Sequence, residues 1–144
     1  MTFEELEAKL PNGFHDAEIA SIHWDYVSRT VDLSMNLLVG VGTPSNPNKS
    51  LYRPGTVRIS GLLLFYFEPP DPNYNFIPRG KPLDVSGDCV RAGQSAQADR
   101  LLAVLPKTAT AYRFFLEEWN SFIYLAGASA EFSWADGSGP VEHP

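Results

Sequence analysis

Two runs of alternating side chains constrain this chain more than any other feature. Ala20, Ile22, Trp24 and Tyr26 fall on one side of the first run, with Ser21, His23 and Asp25 on the other. After the short stretch Val27-Ser28-Arg29, the pattern resumes with Val31, Leu33, Met35, Leu37 and Val39 against Asp32, Ser34 and Asn36. A period of two belongs to a strand with one buried face, whereas a helix repeats every three to four residues. Two such runs joined by a few polar residues predict an antiparallel hairpin.

The remaining segments extend this framework. A third strand is expected over 56–68: Val57 and Ile59 alternate with Arg58 and Ser60, and Leu62 to Phe67 is then apolar on both faces. An unbroken apolar run fits a strand covered on both sides. The expected cover is a helix over 95–105, with Ala98, Leu101, Leu102 and Leu105 on one side, Ser95 as N-cap and Pro106 blocking continuation. Leu83 to Val90 reads as a short edge strand. Tyr112, Phe114 and Leu116 begin a further hairpin that turns at Glu118-Trp119-Asn120, runs on through Phe122, Tyr124 and Ala126, and bends at Gly127 before Phe132 and Trp134. Thr2 to Leu10 reads as a short helix opened by a Thr2/Glu5 capping box and stopped by Pro11-Asn12-Gly13. Eight of the twelve prolines lie between 44 and 82, which makes 40–54 and 69–82 loops. The expected fold is α+β and β-rich: an antiparallel twisted sheet of five to seven strands, curled into a half-barrel or small sandwich, with one or two short helices. It forms a single domain over 1–144 with a flexible tail from about residue 136, a length typical of domains of about 100–150 residues.

Charge narrows the partners. The net charge is −6, but the 29–113 stretch carries ten of the eleven basic residues against six acids, while the flanks hold eleven acids against Lys9 alone. That balance opposes a nucleic-acid partner, which needs clustered Lys and Arg. If the flanks meet in the fold, they make an acidic face able to attract a basic protein. The longest apolar run, Leu62 to Phe67, is far below the ~20 residues of a membrane span. The first ten residues carry three glutamates and no apolar stretch, so the expected location is the cytoplasm. No cofactor is expected. A homodimer through an open sheet edge is a further expectation.

The chain carries no Walker loop, dinucleotide fingerprint, HExxH or GxSxG pattern. Three constellations remain. His15 and Asp16 are metal-ligand candidates, or a carboxylate and an imidazole paired for acid–base work, if Asn12-Gly13 turns the chain; the competing view is a turn cap with a packed ring. His23 and Asp25 share one side of the first strand, with Asp32, Ser34 or Asn36 as cross-strand partners, or they form an ordinary polar surface. Glu68, Asp71 and Tyr74, with Phe76, Arg79 and Lys81, sit on the proline-rich loop, either as a binding loop or as a buried turn in which Tyr74 and Phe76 plug the end of the core. Glu117 and Glu118 beside Trp119 are a weaker pair. Cys89 is read as a buried small side chain rather than a nucleophile. His143, in the tail, is not expected to be a ligand.

The segments LPNGFHDAEIASIHWD, VDLSMNLLVG and VRISGLLLFYFEP resemble small uncharacterised bacterial proteins that carry an FHD-type turn before an antiparallel hairpin, some of them similar to immunity-type proteins of bacterial toxin systems. The resemblance covers about the first half of the chain and transfers no catalytic residue. It implies a non-enzymatic module that binds a protein, for which the acidic balance suits a basic toxin. The alternative expectation is a small-molecule-binding or hydrolytic protein with a pocket inside the curled sheet, lined by Trp24, Phe65, Phe114 and Trp134.

Overall fold

The computed structural model describes residues 1–74 and 80–137. The chain runs α1 (Phe3–Glu7), β1 (Ala17–Asp25), β2 (Thr30–Val41), β3 (Ser50–Ser60), β4 (Leu64–Phe67), β5 (Leu83–Cys89), α2 (Ala96–Val104), β6 (Thr110–Leu116), β7 (Ser121–Gly127) and β8 (Ser129–Trp134). The eight strands among the described residues join one antiparallel sheet in the order β4-β7-β6-β5-β1-β2-β3-β8. The fold is therefore the strand-rich α+β class that the alternation dictates. Among the described residues no helix is long and apolar enough to cross a membrane.

The β1–β2 hairpin forms with one adjustment. The ladder shifts between Ile19 and Ser21, so Ala20 sits in a bulge. A bulge inserts one residue and switches which parity faces inward. Ala17 and Ile19 are buried before it; after it Ile22 and Trp24 pair opposite the buried Leu33 and Val31. The strand thus starts three residues earlier than alternation alone places it. β2 and β3 also extend through the expected 40–54 loop, leaving only 42–49 as the connection. Pro54 is tolerated inside β3: its carbonyl accepts from Ala135 N–H at the point where β8 ends, so its missing N–H faces a ladder already finished.

Residues 56–68 are not one strand. Gly61 adopts φ +61°, and the chain breaks into β3 and β4 there. The partner strand breaks at the same level, between β7 and β8 at Gly127 and Ala128. A Cβ on Gly127 would meet Ile59 Cγ2 at 2.5 Å. Two bonds carry the ladder through this corner, Ala128 N–H to the Ser60 carbonyl (2.9 Å) and Leu63 N–H to the Ala126 carbonyl (2.8 Å). The ribbon of β3/β4 against β8/β7 thus bends at this corner within one open sheet. β5 is an interior strand between β1 and β6, not the expected edge; the outer strands are β4 and β8. Nor does α2 cover β4. Its N-cap is Ser95 as expected, but among the described residues it has no substantial contact with β4, and Leu63 and Tyr66 remain exposed.

The concave face is filled by Leu33, Met35 and Leu37 of β2, Val57 and Ile59 of β3, Val85 of β5, Phe114 and Leu116 of β6, and Ile123 and Leu125 of β7. α1 and the turn after it cap this core. The Thr2/Glu5 capping box is complete, with Glu5 N–H donating to Thr2 Oγ1 (3.1 Å) and Thr2 N–H to Glu5 Oε2 (2.8 Å). Phe3, Leu6, Leu10 and Phe14 are buried, each worth about 1.5–3 kcal/mol relative to exposure. Phe3 stacks on Tyr112 at 4.9 Å, and Phe14 meets Phe114 edge-on at 5.4 Å.

Candidate functional site

The acidic flanks do meet. β1 pairs with β5 through Ala17, Glu18 and Ile19, which sets Glu18 opposite Asp84. β5 pairs in turn with β6, and Glu117 N–H donates to the Asp84 carbonyl (3.1 Å) as the chain leaves β6. Asp16, just before β1, completes the group. A cleft of about 170 Å³ opens there, lined by Asp16, Asp84 and Glu117 with Leu38, Ser50 and Tyr52. Burial and the surrounding carboxylates Glu18, Asp84, Asp16 and Glu117 hold the Tyr52 phenol above its usual range. It stays a neutral donor with an aromatic wall. Lys81 is a cation of this end, 3.5 Å from Asp84.

Glu118 lies behind the cleft, nearly buried, and accepts Asp84 N–H at 3.1 and 3.3 Å. Burial first, and the neighbouring Asp84 carboxyl second, push its carboxyl above the ordinary glutamate range. Glu118 therefore interacts with Asp84 from another strand, and not with its sequence neighbour Glu117.

The His15–Asp16 pair forms locally. Gly13 (φ +55°) and Asp16 (φ +51°) turn the chain, and His15 N–H donates to the Asn12 carbonyl (3.2 Å). The turn brings His15 Nε2 within 3.4 Å of Asp16 Oδ2, with both side chains largely exposed. No group of three or more His, Cys, Asp or Glu among the described residues is placed to hold a metal ion. Asp16 joins the acidic cleft; His15 does not line it.

The second constellation is divided. His23 does face Asp32 across the hairpin, but Asp32 is held by Arg58 through two bonds of 2.7 Å, which keep its carboxyl below the usual range. Asp25 caps the β1–β2 turn by accepting Val27 and Ser28 N–H groups. Ser34 lies opposite Ser21, and Asn36 opposite Glu18, to which it donates at 3.0 Å.

Glu68 and Asp71 anchor their loop to the β6–β7 turn. Glu68 N–H donates to the Phe122 carbonyl (3.0 Å), and Glu68 Oε2 accepts Phe122 N–H (3.2 Å). Asp71 Oδ2 accepts from Asn120 (2.9 Å), Oδ1 accepts Asn73 N–H (2.9 Å), and Asp71 N–H reaches the Trp119 carbonyl (3.0 Å). Tyr74 is about half exposed and donates its N–H to the Asp71 carbonyl. Phe76, Arg79 and His143 lie outside the described residues. Cys89 is half-buried, and burial first, then Glu7, raises its thiol, as expected for a non-nucleophile.

Of the four residues expected to line an interior pocket, Phe114 and Trp134 are core side chains, 0% and 5% exposed. Trp24 and Phe65 line a surface groove of about 390 Å³ near the corner. Tyr52 and Asp84 line the acidic cleft with no local motif to mark them, and both lie outside the acid-rich flanks. No family model, curated protein or solved structure matches the chain.

Proposed function

We propose that this chain is a non-enzymatic binding module whose acidic end accepts a Lys or Arg side chain of a basic partner protein. The observation that carries this reading is the cleft formed by Asp16, Asp84 and Glu117 around Tyr52. Its carboxylates supply charge-assisted acceptors, and the phenol ring supplies a face for a cation. Its volume of about 170 Å³ suits a single long side chain better than a drug-sized ligand, whose sites run to roughly 300–1,000 Å³. Several other carboxylates with candidate chemistry are engaged in structural bonds: Asp25, Asp32, Glu68 and Asp71 each hold a turn, a strand pair or a loop. The proposed module is of immunity type and acts in the cytoplasm. The alternative, a small-molecule or hydrolytic pocket inside the curled sheet, has less support because Phe114 and Trp134 belong to the packed interior.

A hexa-arginine peptide followed by amide chemical shifts tests this reading. The expected result is saturable binding with shifts at Asp16, Tyr52, Asp84 and Glu117, weakened at least tenfold in Asp16→Asn/Asp84→Asn. A Glu4→Gln/Asp99→Asn control changes the net charge equally and leaves the affinity intact. Equal weakening in both double variants would reduce the effect to net charge and refute the site.

A further inference from the structure

We infer that the groove beside the corner is a second binding site, one that takes an extended apolar polypeptide segment carrying a carboxylate, added as a strand to β4. Three independent features converge there.

First, β4 ends the strand order and pairs only with β7 among the described residues. Antiparallel ladders alternate residues that bond to the partner with residues turned away from it. Glu68 N–H bonds the Phe122 carbonyl, so in this register Leu64 and Tyr66 face β7. The N–H and C=O groups of Phe65 and Phe67 therefore point away from it, toward the open edge. An incoming strand would meet a ready row of donors and acceptors.

Second, apolar surface gathers at the same place. The groove is walled by Trp24, Tyr26, Leu62, Leu63 and Phe65, with Trp24 at 4.4 Å from Tyr26 and 5.4 Å from Phe65 between ring centres. Trp24 and Leu63 are 41% and 42% exposed, and Tyr26 and Val27 are 76% and 97% exposed, far more than a hairpin turn needs for folding. β1 pairs with β5 only through Ile19, so its Trp24 end has β2 alone as a strand neighbour among the described residues.

Third, the single charged side chain lining this groove among the described residues is a cation. Arg29 spends one guanidinium nitrogen on the Leu62 carbonyl (2.9 Å), while its own carbonyl accepts Leu62 N–H (2.9 Å). These two bonds fix the guanidinium at the groove wall, and among the described residues no carboxylate lines the groove to neutralise it. In a chain of net charge −6, a lone cation on an apolar wall selects an anionic group in the ligand. A second copy of this chain fits less well. Two β4 edges paired about a two-fold axis would bring two Arg29 side chains to one seam with no groove acid between them. This site lies at the far end of β1 from the acidic cleft, about 25 Å away by strand rise, so the two can be occupied independently.

A random seven-residue peptide library selected on the full chain tests the inference. The expected enrichment is apolar residues at alternate positions with one Asp or Glu. The best peptide should slow amide exchange at Phe65 and Phe67 at least tenfold. Arg29→Glu and Trp24→Ala should each weaken it at least tenfold without changing the thermal midpoint by more than a few degrees. Asp84→Asn should leave it unaffected, which separates this site from the acidic cleft. No enrichment over the Arg29→Glu protein, enrichment of basic sequences, or protection away from β4 would overturn the inference. So would binding of anilinonaphthalene sulfonate in the groove without any peptide, which would assign it to small amphiphilic anions. A concentration-dependent dimer abolished by Trp24→Ala would assign the edge to a second copy.

Discussion

Gly87→Ala is the sharpest structural perturbation. Gly87 sits in β5 opposite Phe114, beside the Cys89–Tyr112 pair. It leaves the space over which the Tyr112 ring lies on its way to Glu7 of α1. A Cβ there would lie 2.4 Å from Tyr112 Cε1, 2.6 Å from its hydroxyl and 2.9 Å from Phe14 Cβ. Tyr112 cannot swing aside freely, since its ring is stacked on Phe3 and its hydroxyl donates to Glu7 Oε1 at 2.7 Å. Burial and that bond to Glu7 raise the phenol far above its ordinary range, so it remains a donor throughout. Overpacking a core by one methyl costs about 1–3 kcal/mol. Displacing a hydrogen bond to a charged group adds about 1.5–3 kcal/mol. The lower entropy of an unfolded Ala returns about 0.4–1 kcal/mol. The expected net loss is therefore about 2–5 kcal/mol, a large part of the roughly 5–15 kcal/mol a domain has. Urea unfolding read by tryptophan fluorescence measures it as a lower midpoint at unchanged slope. In a Tyr112→Phe background the hydrogen-bond share is already gone, so adding Gly87→Ala should cost only about 0–2.5 kcal/mol. A Gly87→Ala protein as stable as its parent, or the same cost in both backgrounds, would refute the threading of Tyr112 over Gly87.

Thr2→Ala removes the capping box and should lower stability by about 1 kcal/mol in thermal unfolding, with Ser restoring most of it. Asp71→Ala releases Asn73 and Asn120, so limited proteolysis should cut the 68–74 loop faster while stability falls by only about 1 kcal/mol. Glu118 binds its proton more tightly in the folded chain than in the unfolded one. Its contribution is therefore fully present below the ordinary glutamate range and is lost as pH rises through the raised value. Glu118→Gln, whose amide oxygen can still accept Asp84 N–H, should flatten the decline of the urea midpoint across that window; an unchanged slope would contradict the assignment.

Local signals proved legible in the sequence. Thr2 with Glu5, Ser95 before α2, and the alternation of β2 and β6 each state their structure within a few residues, because a cap or a strand face is set by near neighbours. Long-range choices were not legible. The Leu62–Phe67 run reads as a doubly covered strand, yet it forms a short outer strand at a corner, where apolar side chains line a groove. The 83–90 segment reads as a short edge strand, but the place of β5 is decided by pairing with β1 and β6, far away in the chain. The bulge at Ala20 leaves no mark in a small side chain. Among the site residues, Asp16 stands out as a candidate, whereas Asp84 and Tyr52 become its neighbours only through strand pairing. Glu68 and Asp71 read as binding candidates on their loop, whereas the structure engages both carboxylates in bonds that hold the loop to its neighbours.

Residue-resolved amide exchange on the free protein tests most directly the claim that the sheet bends through the Gly61/Ala128 corner and leaves β4 open. The Ala128 and Leu63 amides, which bond across the corner, should be protected along with Leu64 and Tyr66. Phe65 and Phe67 should exchange at least a hundredfold faster than those two neighbours. Equal protection of all four β4 amides would mean the edge is already covered, and the account of the groove would fail with it.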